Sequence, residues 1–88
     1  MSSHFDYFYT IIKKKGKEKM NISEQFGTHL CELRKEKGFT QKEVAEVMQI
    51  SVSTYANWEQ GRREPDLEHL YLLSKIFEVD MNTLFELN

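Results

Sequence analysis

The side chains best suited to bond-making chemistry in this sequence are few and scattered. His4, His29 and His69 could ligate a metal or move a proton, but they show no ligand spacing. Cys31 is the one cysteine, so it has no disulfide partner in the chain and reads as an ordinary reduced side chain. Glu24, Glu32 and Glu36 read as solvated helix charges, with no pairing that suggests acid–base catalysis. With no nucleophile–base set, metal cluster or phosphate-binding glycine loop, no enzyme, metal or cofactor is expected. A secreted disulfide scaffold is excluded as well, and a reducing cytoplasm is the expected compartment.

The informative stretch runs from Gln41 to Gln60. Thr40-Gln41-Lys42-Glu43 is a capping box that opens a short helix with Val44, Ala45 and Met48 inside. Only Gln49 and Ile50 separate it from Ser51, which can cap a further helix running through Tyr55 and Trp58 toward Gly61. So tight a connection forces the two helices to cross steeply, and the crossing needs a small residue at the contact. Ala45 sits there, with Val44, Met48, Ile50, Tyr55 and Trp58 as the apolar seat. That is the physical specification of a helix-turn-helix, whose second helix enters a major groove.

Other elements must hold this pair. Asn21 with Glu24, or Ser23, can cap a preceding helix whose face is Phe26, Leu30 and Leu33 and which ends near Gly38. Pro65 turns Glu64 out of helical conformation, and Asp66 then caps a helix expected to turn Leu67, Leu70, Leu73 and Phe77 inward. Asp80 caps a short last helix ending in Leu84 and Phe85. The spacing predicts a compact all-α, five-helix domain over residues 22–88. Its expected core is Phe26, Leu30, Leu33, Val44, Ala45, Met48, Ile50, Tyr55, Trp58, Leu70, Leu73, Phe77 and Leu84.

Residues 1–21 differ from the rest and read as an N-terminal arm and basic linker. Phe5, Phe8, Tyr9 and Ile12 fall on one helical face, while Phe5, Tyr7, Tyr9 and Ile11 alternate as a strand would. The lysine run from Lys13 to Lys19 follows, and Met20 could itself start translation. The apolar run from Phe5 to Ile12 carries Asp6, is too short to span a membrane, and has its lysines on the wrong side for a signal peptide. No membrane partner is expected.

The 88 residues, 40% apolar and 30% charged, suit one small soluble domain. A net charge of −2 conceals an uneven distribution. Residues 1–21 carry five lysines against Asp6 and Glu18, residues 22–63 balance, and residues 64–88 set Lys75 against six acids. Whole-chain charge does not exclude a nucleic-acid partner, because only local phosphate contacts count.

Three stretches together resemble the lambda-repressor-like (Cro/CI, XRE-type) helix-turn-helix DNA-binding family. These are Gln41 to Ala45, Ile50 to Gly61, and Arg62-Arg63-Glu64-Pro65. Leu33 to Thr40 and Val79 to Phe85 fit the family too, so the resemblance runs from about Ile22 to Glu86. The resemblance implies that the helix starting at Ser51 is the recognition helix, presenting Val52, Ser53, Thr54 and Asn57 to the groove. Asn can pair with adenine through two bonds, Ser and Thr bond several base edges, and Val can touch a thymine methyl. It also implies that Gln41 and its helix amino terminus meet a phosphate, that Arg62 and Arg63 anchor the backbone, and that Arg34 and Glu59 form an ion pair between the first and third helices. Two departures stand out: Gln49 and Glu78 occupy places where the family often has a left-handed glycine.

The expected function is a sequence-specific double-stranded DNA-binding transcriptional regulator, a homodimer on a palindromic operator and of repressor type. The alternative is an antitoxin-like protein-interaction module on the same fold, with a partner such as a toxin. For the dimer, the apolar end around Met81, Leu84 and Phe85 looks surplus to one small core and is the first choice of interface, with the arm as an addition.

Overall fold

The computed structural model describes residues 21–87, which form five helices and no strand. These are α1 (Ile22–Lys37), α2 (Gln41–Met48), α3 (Val52–Glu59), α4 (Leu67–Ile76) and α5 (Met81–Leu84). The arm, with its choice between helix and strand for residues 5–12, lies outside the described residues.

Each helix begins where a side chain can satisfy a backbone N–H left unpaired at a helix start. The Asn21 side chain accepts from Glu24 N–H at 2.8 Å, and the Glu24 carboxylate accepts from Asn21 N–H at 3.0 Å. Thr40 and Glu43 make the same reciprocal box at 3.0 and 2.8 Å. Ser51, Asp66 and Asp80 accept from Thr54, His69 and Thr83 N–H at 3.0, 2.9 and 2.8 Å. Those backbone donors hold the exposed carboxyls of Asp66 and Asp80 below the ordinary carboxylate range. Left-handed residues close two helix ends without glycine: Gln49 at φ 60° after α2 and Glu78 at φ 57° after α4.

One core joins all five helices. Leu30, Val44, Tyr55, Leu73, Phe77 and Leu84 are wholly buried, with Phe26, Leu33, Ala45, Met48 and Trp58 nearly so. Ile50 and Leu70 are only partly buried at its edge. α3 packs on both α1 and α2, and α4 closes the far side against α2 and α5. Where α1 crosses the end of α3, Gly27 allows the two backbones to touch. A Cβ there would stand 2.4 Å from the Glu59 carbonyl oxygen and 2.6 Å from that of Trp58.

Two expectations are corrected. Leu67 does not turn inward; it is 77% exposed. Ser74, seven residues later on the same helical face, is buried, so Leu67 lacks a neighbour because it sits at the first position of α4, beyond the packed stretch. Leu84 is not surplus: it is fully buried and Met81 partly so, which leaves Phe85 as the exposed ring of that end.

Candidate nucleic-acid interface

Seating α3 begins with Ala45, which is 1% exposed and fits under α3 because it has no side chain beyond Cβ. The turn between the helices is fixed by left-handed Gln49 and by Ile50 N–H, which donates to the Ala45 carbonyl at 3.0 Å. From the inner face of α3, Tyr55 and Trp58 enter the core, edge to face with centroids 5.9 Å apart. The Trp58 ring also lies 5.4 Å from that of His69 on α4.

The far end of α3 is held by charge. Arg34 Nε donates to one Glu59 carboxylate oxygen at 2.7 Å and Nη2 to the other at 3.2 Å, while Nη1 donates to the Phe39 carbonyl at 2.9 Å. Gln41 Nε2 donates to Glu59 at 2.9 Å, so α1, α2 and α3 converge on one carboxylate. Burial by itself pushes the Glu59 carboxyl up. Hydrogen bonds, chiefly from Arg34, outweigh it and hold the group below the ordinary range. The same cluster raises the Arg34 guanidinium further above its already high value. Burial pushes the Tyr55 phenol upward, and the adjacent Glu59 charge adds to this; its hydroxyl faces that carboxylate without meeting it at ordinary hydrogen-bond geometry.

The outer face of α3 is different in kind. Val52, Ser53 and Thr54 are exposed, Ser51 lies beside them, and Asn57 is half-buried one turn further on. Ser51 Oγ is 2.8 Å from the Thr54 hydroxyl and 3.2 Å from that of Ser53, so the hydroxyls share hydrogen bonds until something displaces them. Thr54, Asn57 and Arg63 line one open hollow of about 360 Å³ with Trp58 and Glu64. Arg62 is exposed on the same loop, just past α3, and lies outside that lining. Gln41 is not brought to the hollow: it stands at the start of α2, half-buried, with its amide directed to Glu59. Sequence reasoning missed Glu64, whose carboxylate accepts from the Ser23 hydroxyl on α1. A contact across 41 positions leaves no local signal.

From Ser51 to Trp58 the chain carries no acidic side chain, and Glu59 is turned inward and neutralised by Arg34. The outer face of α3 is thus polar, uncharged and followed by two arginines, an arrangement that can offer hydrogen bonds while tolerating a polyanion beside it. Among the described residues no group of three or more His, Cys, Asp or Glu is placed to hold a metal, and no helix is long and apolar enough to cross a membrane.

A capped short helix, a two-residue turn and a second capped helix seated on an alanine define a helix-turn-helix domain. The chain belongs to the helix-turn-helix family of the Cro/CI, XRE type, whose profile matches residues 30–84. The HTH-type transcriptional regulator AnsR of Bacillus subtilis is 40% identical over 55 residues, which is 62% of this chain and 47% of AnsR. The HTH-type transcriptional activator BcrR of Enterococcus faecalis is 35% identical over 60 residues, 68% of this chain and 29% of BcrR. The chain therefore spans less than half the length of either relative. Among solved structures, the restriction-modification controller protein C.AhdI from Aeromonas hydrophila superposes with a TM-score of 0.65 at 28% identity, covering 69% of this chain and 92% of that one.

Proposed function

We propose that this chain is a sequence-specific, double-stranded DNA-binding transcriptional regulator that lays α3 in the major groove and acts as a homodimer of repressor type on a palindromic operator. The observation that carries this reading is the outer start of α3. Its Val52, Ser53 and Thr54 stand in solvent on a helix whose inner face is locked. The HTH-type transcriptional regulators among its relatives support DNA binding in the control of transcription. In this arrangement Val52, Ser53, Thr54 and Asn57 read base edges, and Ser51 keeps the helix start closed. Arg62 and Arg63 bind phosphates beside the groove. The amino end of α2 meets a further phosphate, with Gln41 held against Glu59 so that one remaining amide hydrogen can reach it.

Selection of bound sites from a random duplex pool, using the purified protein, tests the reading. A palindromic consensus with two half-sites about one helical turn apart is the expected result. Sedimentation showing only monomers at tens of micromolar, with and without that duplex, would remove the dimer. Failure to bind any duplex at low salt would leave the protein-partner reading, for which the exposed Leu67, Tyr71 and Leu72 on α4 offer an apolar surface.

A further inference from the structure

Away from the outer face of α3, the surface carries an open apolar groove of about 100 Å³, lined by Ile22, Ser23, Phe26, Pro65, Leu70 and Phe85, with Glu64 at its rim. Its walls come from the first turn of α1, the loop before α4, α4 itself and the end of α5. The walls are fixed in place, since Phe85 stacks on Phe26 at 5.4 Å and the Ser23 hydroxyl donates to Glu64. They are also wet: Ile22 is 64% and Phe85 44% exposed.

The size and position of the groove select its occupant. It offers room on the order of one side-chain ring, whereas a stable contact between separate proteins needs about 800 Å² from each partner. A weak contact of that size holds only if the insert is tethered. The sequence supplies such an insert immediately upstream, because residues 5–12 hold Phe5, Tyr7, Phe8, Tyr9, Ile11 and Ile12 with only Asp6 and Thr10 between them. Residues 13–20 join Ile12 to Asn21, the cap of α1, and the next residue is already groove wall. A coil of that length spans about 16 Å, and such a short tether gives an effective concentration in the millimolar range. Charge agrees, since the lysines from Lys13 to Lys19 would approach Glu64, the acid of the groove lining.

We propose that residues 5–12 of this chain dock in cis into the groove between the start of α1 and the end of α5. The test uses the full chain with the photoreactive residue p-benzoylphenylalanine in place of Phe8, in an equal mixture of ¹⁴N- and ¹⁵N-labelled protein. After irradiation, cross-linked peptides should join segment 5–12 to peptides carrying Ile22–Phe26 or Phe85, with both halves of one isotope. Pairs of mixed isotope would make a second copy the occupant, and cross-links elsewhere, or none, would equally overturn the proposal. Ile22→Ser in the same protein, a change at an exposed position, should lower the yield about five-fold by removing apolar wall. An unchanged yield would count against the groove, and the unfolding midpoint followed by Trp58 fluorescence confirms that the fold is intact.

Discussion

The two faces of α3 are held by opposite means. On the inner face Tyr55 and Trp58 are buried, and Glu59 is bound by Arg34 from α1 and Gln41 from α2. On the outer face, among the described residues, Ser51, Ser53 and Thr54 hydrogen-bond with one another, and Val52 is left in solvent. One face fixes where the helix lies; the other is free to differ without disturbing that placement. Exposed substitutions away from caps and packing change stability by only about half a kcal/mol. The contact surface can therefore be altered at almost no cost to the fold.

The largest effect that would break this division is Arg34→Ala. It strands a buried carboxylate, and about 3–5 kcal/mol of stability should be lost, measured by urea unfolding followed at Trp58. DNA affinity should fall with it, because the far end of α3 is released. Acid gives a milder version of the same cut. The Glu59 carboxyl is held below its ordinary value, so its contribution is complete at neutral pH and is lost as pH falls through the ordinary carboxylate range and then its own lower value. Stability measured from pH 6 to about pH 3 should fall less steeply in Arg34→Ala than in the wild type, while Asp66 and Asp80 titrate alike in both.

Gly27→Ala comes next. The added methyl meets backbone rather than a flexible side chain, and a loss of about 3 kcal/mol is expected in the same unfolding assay. Smaller again are the changes that sharpen the outer face. Asn57→Ala should lose about 1–3 kcal/mol on the selected operator and little on random duplex. Arg62→Ala or Arg63→Ala should weaken both duplexes similarly and flatten the salt dependence of log affinity by about one per lost phosphate contact. If Asn57→Ala and Arg62→Ala behave alike on both duplexes, the assignment of the outer face is wrong. The smallest effect is Gln49→Gly, which relieves a left-handed side chain and should raise stability by about 1 kcal/mol without altering binding.

The helix starts are legible in the sequence because a cap and its donor lie three residues apart, so Asn21, Thr40, Ser51, Asp66 and Asp80 signal themselves locally. Most of the core is legible for a similar reason, since helical period selects Leu30, Leu33, Leu73 and Phe77 without knowledge of what they meet. Leu67 shows where that signal stops: periodicity gives direction round a helix but not how far along it the neighbour extends. Leu84 misleads in the converse way, because whether an apolar residue near the chain's end is surplus depends on the depth of a core built elsewhere. The engagement of Gln41 with Glu59 joins positions 18 apart, and Ser23 with Glu64 joins positions 41 apart. Neither pairing has a local signature, which is why the hollow beside α3 contains an acid that its sequence neighbourhood does not announce.

The caps carry one more consequence, for the time the chain takes to fold. Because each helix start is closed by a residue within its own first turn, each can begin to form before any tertiary contact exists. The slower step is bringing together segments further apart in the chain, such as Arg34 with Glu59 at 25 positions and Ser23 with Glu64 at 41, and no strand among the described residues has to find a distant partner. A domain so dominated by local contacts is expected to fold within about a millisecond. A newly made copy of the domain would then reach its working shape almost as soon as residues 21–87 leave the ribosome, and the level of folded domain would follow the rate of its synthesis with hardly any delay.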